Sequence, residues 1–114
     1  MVKKYIPEQG DICFVDINPT KGHEQKGYRP VLVISSKIYS INTGMAVICP
    51  ITSNNKFFPL HYELLNTKEI TGSVECEHIR SVDCITRKFK FVEKINKLEL
   101  VEIIKLLFAI IELE

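Results

Sequence analysis

The chain has 114 residues, enough for one hydrophobic core and too few for two, so a single domain over residues 1–114 is expected. Hydrophobic residues at 46% and charged residues at 25% exclude a disordered or fibrous chain. The net charge of +1 gives no strong long-range pull toward nucleic acid or anionic membrane. Residues 1–57 nevertheless hold seven Lys/Arg against four Asp/Glu, and residues 58–114 hold eight against ten. The longest uninterrupted apolar run, Leu106 to Ile111, is far short of the roughly 20 residues of a membrane span. Lys3, Lys4, Pro7, Glu8 and Gln9 interrupt any secretory signal, so a cytoplasmic location is expected.

Taken in chain order, Asp11 to Ile17 is β-branched and aromatic-rich, with Gly10 before it and Asn18-Pro19 after it, which predicts a strand. Residues 18–28 are polar, contain two glycines and predict a long connecting loop. Pro30 to Ser35 is a continuous apolar run, as in a strand buried on both faces. Lys37 to Thr43 is weakly helical and is stopped by Gly44. Met45 to Thr52 predicts a third strand, Leu60 to Leu65 a fourth, and Ser73 to Cys76 and Ile79 to Ile85 continue the β pattern after Gly72.

The period then changes. Asn96 starts a helix with Glu99 as its capping partner, and Leu100, Ile103, Ile104, Leu107, Phe108 and Ile111 form one stripe at helical spacing. Val101, Leu106, Ile110 and Leu113 widen that stripe, which predicts burial on a second side, in a homodimer or under a barrel cap. The basic run Arg87, Lys88, Lys90, Lys94 and Lys97 is read as a solvated face. The fold class is therefore mainly β with a C-terminal α-helix. Short strands without helices between them suit a small, strongly bent antiparallel barrel better than a parallel sheet.

Cys13, Cys49, Cys76 and Cys84 form no C-x-x-C pair, and His23, His61 and His78 form no H-x-x-x-H pattern, so neither a metal site nor a cofactor is expected. The cysteines are read as reduced and mostly buried. The unusual segment is residues 19–30, PTKGHEQKGYRP, which sets Glu24 and Arg29 on a Gly-flanked loop entering a buried strand. A guanidinium at a strand mouth is suited to clamping a phosphate through two donors. A salt-bridged loop anchor fits the same spacing. Thr52-Ser53 with Lys56 forms a second polar cluster, which an ordinary turn would also explain.

These segments carry a resemblance. G-D-I at 10–12, P-T-K-G-H-E-Q-K-G-Y-R-P at 19–30, P-I-T-S at 50–53, G-S-V at 72–74 and I-R-S-V at 79–82 resemble the MazF/PemK family of toxin endoribonucleases, along nearly the whole chain. The resemblance implies a dimeric Src-homology-3-like barrel of the MazF/CcdB type that cuts single-stranded RNA at a short sequence. It also implies a cognate MazE-like antitoxin that blocks the RNA groove, with no membrane partner and with DNA approached only through the antitoxin complex. Carried over by position, the catalytic arginine falls on Arg29, the catalytic threonine on Thr52 and a supporting carboxylate on Glu24. Gly22, Gln25, Ser53 and Lys56 fall along the RNA path. Where the family often has Asp-Gln before the I-[RK]-S segment, this chain has Glu77-His78, at positions that touch substrate in relatives.

The chemistry of metal-free RNA cleavage assigns tasks to these side chains. The 2′-hydroxyl must lose a proton, the leaving 5′-oxygen must gain one, and the crowded anionic phosphorane must be stabilised. Arg29 suits the last task and, as an acid, the second; a guanidinium, protonated throughout the physiological range, is ill suited to serve as base. Thr52 would donate to a non-bridging oxygen or hold the 2′-hydroxyl, and Glu24 would act as base or orient Arg29. The expected products are a 2′,3′-cyclic phosphate and a 5′-hydroxyl. His78 would stack on a base or shuttle a proton. Two alternatives are a CcdB-type gyrase poison and a non-catalytic small-barrel binding module. The first is disfavoured because that family's activity depends on a C-terminal tripeptide with tryptophan, whereas this chain lacks tryptophan and ends Glu112-Leu113-Glu114. The second leaves Glu24, Arg29 and Thr52 without a task.

Overall fold

Alternating and continuous apolar runs give seven strands and two helices in the computed structural model, which describes residues 4–17, 28–54 and 56–114. In chain order these are β1 (Asp11–Asp16), β2 (Tyr28–Val33), α1 (Lys37–Thr43), β3 (Met45–Thr52), β4 (His61–Glu63), β5 (Ser73–Glu75), a 3-10 turn (Cys76–His78), β6 (Arg80–Asp83), β7 (Lys90–Lys94) and α2 (Lys97–Ile110). Every pairing is antiparallel, and the sheet runs β4-β5-β3-β2-β1-β7. The long β3 is shared on one edge: its first half pairs with β6 and its last two residues pair with β5. Among the described residues the end strands β4 and β7 do not pair with each other, so the sheet is barrel-like without closing. Among the described residues no helix is long and apolar enough to cross a membrane.

The continuous apolar runs have a simple cause, because the central strands are covered on both sides. One face of β1–β3 presents Ile12, Leu32, Cys49 and Ile51 to Ile103 and Leu107 of α2. The other presents Cys13, Val15, Val31, Val33, Ala46 and Ile48 to Val82 of β6 and to Phe89. Three of the four cysteines are buried in these clusters and none is bonded.

The helices are punctuated as their sequences require. Gly44 ends α1 at φ 71°, and its N–H reaches the Ser40 carbonyl. Asn96 caps α2 by accepting the Leu98 N–H at 2.9 Å. Glu99, by contrast, is not the capping partner that the spacing suggests. It is buried, and its carboxylate accepts the N–H groups of Leu65 (2.9 Å) and Asn66 (3.1 Å), tying the chain after β4 to the helix.

Two further points emerge. The lysines of the basic run are exposed, as a solvated face requires, but the run also holds strand β7, which the sequence pattern does not predict. It is an edge strand on β1, where its lysines leave Phe89 and Ile95 buried at either end. In α2, Ile103 and Leu107 are buried, and Leu100 and Leu106 pack against the core. Phe108 and Ile111 of the expected stripe are exposed, together with Leu98, Val101 and Ile110. The second apolar side of the helix therefore has no cover among the described residues.

Candidate active site

The register of β2 and β3 places the two residues singled out for chemistry. Val31 pairs with Pro50 and Leu32 with Cys49, so continuing the antiparallel count sets Arg29 opposite Thr52, just beyond the last paired positions. Side chains alternate along a strand, so Arg29 shares a face with Val31 and Val33, and Thr52 shares one with Pro50 and Ile48. This is the face of the second core cluster. The core ends where these two polar residues begin.

Arg29 and Thr52 line one cavity of about 340 Å³ with Tyr28, Pro30, Ile51, Ser53 and Thr71. Arg29 also lines a neighbouring cavity of about 530 Å³ whose walls include Ile17, Glu75, His78 and Arg80. Arg29 is thus the shared wall of two adjoining hollows that form a groove. Lys56 lines a smaller third hollow with Phe57, Phe58, His61 and Ser73.

Local bonds prepare Thr52. Its Oγ1 accepts the Asn54 N–H at 3.1 Å, and Asn54 in turn accepts the Lys56 N–H at 3.0 Å. The first bond uses a lone pair of the hydroxyl, whose O–H can still donate outward. The Thr52 carbonyl packs against Gly72, which sits at φ 129°; a Cβ there would lie 2.2 Å from that oxygen. Only glycine accommodates both the backbone angle and the approach. Arg29 pairs with Val15 of β1, and the neighbouring Tyr28 ring stacks on Phe14 with centroids 6.2 Å apart.

Of the residues read from the sequence, the structure brings together Arg29, Thr52, Ser53 and His78 along the groove, with Lys56 in the adjoining hollow. Gly22, Glu24 and Gln25 lie outside the described residues. Glu77 does not line the Arg29 cavities; it turns onto His61, with Oε2 2.7 Å from Nε2. Arg80 was not singled out as a site residue. It pairs with Ile48 two positions from Val82, so it lies on the same face as Arg29 and adds a second guanidinium to the groove. The signal was present in I-R-S-V, where an arginine alternates with a buried valine.

A cluster also appears where sequence spacing showed none. His61, Glu75 and Glu77 bring one donor atom each within 4.8 Å of one another. His61 faces Glu75 across the β4–β5 ladder, and Glu77 follows in the 3-10 turn. Such a set comes from strand pairing and has no motif in one dimension.

Comparison with known proteins agrees with this fold. The family model of the PemK-like, MazF-like toxins of type II toxin–antitoxin systems matches residues 8–111. The endoribonuclease toxin MazF of Escherichia coli K12 is 38% identical over 82 residues, covering 72% of this chain and 73% of that protein. The endoribonuclease PemK of Escherichia coli is 31% identical over 114 residues, covering 96% and 85%. The crystal structure of MazF from Deinococcus radiodurans superposes with a TM-score of 0.85 at 31% identity, covering 96% of this chain and all of that one. In the MazE–MazF crystal structure from the same organism the TM-score is 0.84 at 26% identity, covering 97% of this chain and all of that one.

Proposed function

The chain belongs to the PemK-like, MazF-like toxins of type II toxin–antitoxin systems, and from that premise we propose that it cuts single-stranded RNA in the groove at the open end of β2 and β3. The observation that carries the reading is the register that sets Arg29 opposite Thr52 on the wall of one cavity. The relatives named as endoribonucleases support the reaction class.

Arg29 holds the scissile phosphate, because a planar fork of charged donors matches two phosphate oxygens. Thr52 donates its O–H to a non-bridging oxygen or to the 2′-hydroxyl. As the 2′-oxygen attacks, negative charge accumulates on the phosphorane, and fixed donors at that point lower the barrier without reorganising. Glu24 serves as base or orients Arg29, and Arg29 protonates the leaving 5′-oxygen. The products are a 2′,3′-cyclic phosphate and a 5′-hydroxyl.

Ser53, Lys56, Arg80 and His78 extend the groove on either side, and the family resemblance assigns Gly22 and Gln25 to the RNA path as well. Their mixture of cationic groups and a planar ring suits an unstacked strand, held by its phosphates and read at its base edges. The uncovered apolar side of α2, with Val101, Phe108 and Ile110, is the expected seat of a homodimer contact. A MazE-like antitoxin is the expected inhibitor, supported by the MazE–MazF complex of the structural neighbour.

The direct test is to incubate the pure protein with a defined single-stranded RNA and map the ends. Cutting at a recurrent short sequence, with cyclic-phosphate and 5′-hydroxyl termini and undiminished by excess chelator, is expected. Intact RNA, or fragments with 5′-phosphates, would overturn the assignment.

A further inference from the structure

We propose that His61, Glu75 and Glu77 form a binding site for a divalent transition-metal ion of the zinc type, on the wall of the groove and apart from the Arg29–Thr52 chemistry. The donor set is one imidazole nitrogen and two carboxylates. His61 Nε2 lies 2.7 Å from Glu77 Oε2 and 3.9 Å from Glu75 Oε2. Around a tetrahedral zinc ion, with bonds of about 2.0–2.2 Å, neighbouring donors stand roughly 3.3–3.6 Å apart. The close pair must open and the distant pair must close, each by less than about 1 Å. Side-chain rotation suffices, and the backbone already holds the three residues in register.

That backbone is well fixed. His61 and Glu75 are opposite partners in the β4–β5 ladder, and the intervening Cys76 is buried and donates its N–H to the Leu60 carbonyl at 3.1 Å. The side chains are largely enclosed, at 15% exposure for His61, 20% for Glu75 and 23% for Glu77.

Two features of the cluster point to a cation. First, the ion pairs found for Glu75 and Glu77 among the described residues are with His61 and His78; no lysine or arginine is paired with either. Two half-buried carboxylates a few ångströms apart repel unless a positive charge lies between them. Second, Glu77 Oε1 is buried without a hydrogen-bond partner among the described residues. An orphaned carboxylate oxygen in a native fold calls for a reason. A metal ligated through Glu77 Oε2 leaves Oε1 facing a cation, which gives it an electrostatic partner. On His61, Nδ1 then carries the ring proton while Nε2 ligates.

The chemistry selects among ions. Imidazole with carboxylates suits zinc and its transition-metal neighbours, whereas magnesium and calcium prefer an all-oxygen shell. Three protein donors leave a fourth position open. His78 is 60% exposed, with Nδ1 3.6 Å from Glu75 Oε1, and can swing in to fill it. The site is therefore regulatory or structural in kind, since the proposed cleavage uses none of the three ligands.

The test uses the untagged full chain, stripped with chelator and dialysed. Equilibrium dialysis against Zn2+ should find one ion per chain, with Mg2+ and Ca2+ failing to compete. Co2+ as a spectroscopic substitute should give the intense visible bands of a four-coordinate site, without the near-ultraviolet charge-transfer band of a thiolate. His61→Gln and Glu75→Gln, checked for folding by circular dichroism, should each weaken Zn2+ binding by about ten-fold or more. Three results would each overturn the proposal: no stoichiometric Zn2+ binding, undiminished binding in both variants, or a thiolate band placing the metal on a cysteine. The Co2+ spectrum of the unsubstituted protein decides the matter even where a variant does not fold. None of these readouts involves RNA, so the outcome is independent of the ribonuclease reading.

Discussion

At the helix end of the molecule Glu99 and Glu93 direct their carboxylates onto backbone N–H groups, whereas at the open end of β2 and β3 Arg29, Arg80 and Thr52 line two adjoining hollows. Glu99 takes Leu65 and Asn66. Glu93 takes Lys68 (2.9 Å), Glu69 (2.8 Å) and Ile70 (2.9 Å). Together the two side chains organise the whole connection between β4 and β5. Both are glutamates set among basic residues in the sequence, yet their task is to satisfy the backbone of a loop that the sheet cannot pair. The groove residues sit where a strand ladder stops, and their donors face outward. Internal satisfaction marks structure; outward-facing donors at the end of a core mark a site.

The sharpest way to break that contrast is at Arg29. Arg29→Ala should leave folding intact, because the side chain is exposed and the flanking β2 residues keep their ladder. Cleavage of a fluorescent oligonucleotide should fall by about 10²–10³-fold or more, the usual cost of losing a donor aimed at developing charge. Activity within a few-fold of the unsubstituted protein would remove the catalytic role.

Gly72→Ala probes how far the groove depends on its backing. The new Cβ would lie 2.2 Å from the Thr52 carbonyl oxygen, at a φ of 129° that side chains rarely adopt. The strain of such a conformation alone is about 1–3 kcal/mol. The end of β3 must shift to relieve the clash, so both melting temperature and cleavage rate should drop. A loss of stability with full activity would show that Thr52 is not held from behind by this contact.

Much of this was legible in one dimension. The strands over Asp11–Asp16 and Met45–Thr52, the helix stop at Gly44 and the cap at Asn96 follow from local residue chemistry, and each appears where the pattern places it. The groove was only half legible. Arg29 and Thr52 are 23 positions apart, and only the β2–β3 register sets them face to face. Arg80 needed a third strand, and His61 with Glu75 needed a fourth and a fifth. Strand β7 was hidden because an edge strand carries lysines to discourage further pairing, and those lysines looked like solvated surface. Glu99 occupies the position of a capping glutamate, but the loop after β4 competes for its carboxylate and wins.

The helix end supplies a smaller effect with a definite pH signature. Glu99→Ala removes a charged acceptor from two backbone groups and should cost about 2 kcal/mol in chemical denaturation, with the groove chemistry unaffected. For Glu93, burial pushes the carboxyl up, but the N–H groups of Lys68, Ile70 and Glu69 outweigh it and hold the group below its ordinary value of 4.5. A depressed value in the folded state means that the contribution is present above the ordinary range and lost as pH falls through it. The melting-temperature gap between the unsubstituted protein and Glu93→Gln should therefore be widest near neutrality and narrow below about pH 4.5. A gap that stays constant down to strongly acidic pH would show that the ionised carboxylate is not what holds the loop.

The smallest expected change lies at His78, on the far wall of the groove from Thr52. Its ring is exposed and shares a cavity with Arg29 and Arg80, so it can meet a base beside the scissile phosphate without touching the phosphate itself. A neutral imidazole offers one donor, one acceptor and a stackable face, whereas a glutamine amide offers donors and an acceptor without the ring. His78→Gln should therefore alter the base profile in a randomised-oligonucleotide cleavage screen at about one or two positions, while the cyclic-phosphate product stays the same. A lowered rate with an unchanged profile would move His78 into proton transfer, alongside Arg29. If neither rate nor profile changed, the groove would end at Arg80, and the Glu77-His78 pair would belong wholly to the cluster around His61.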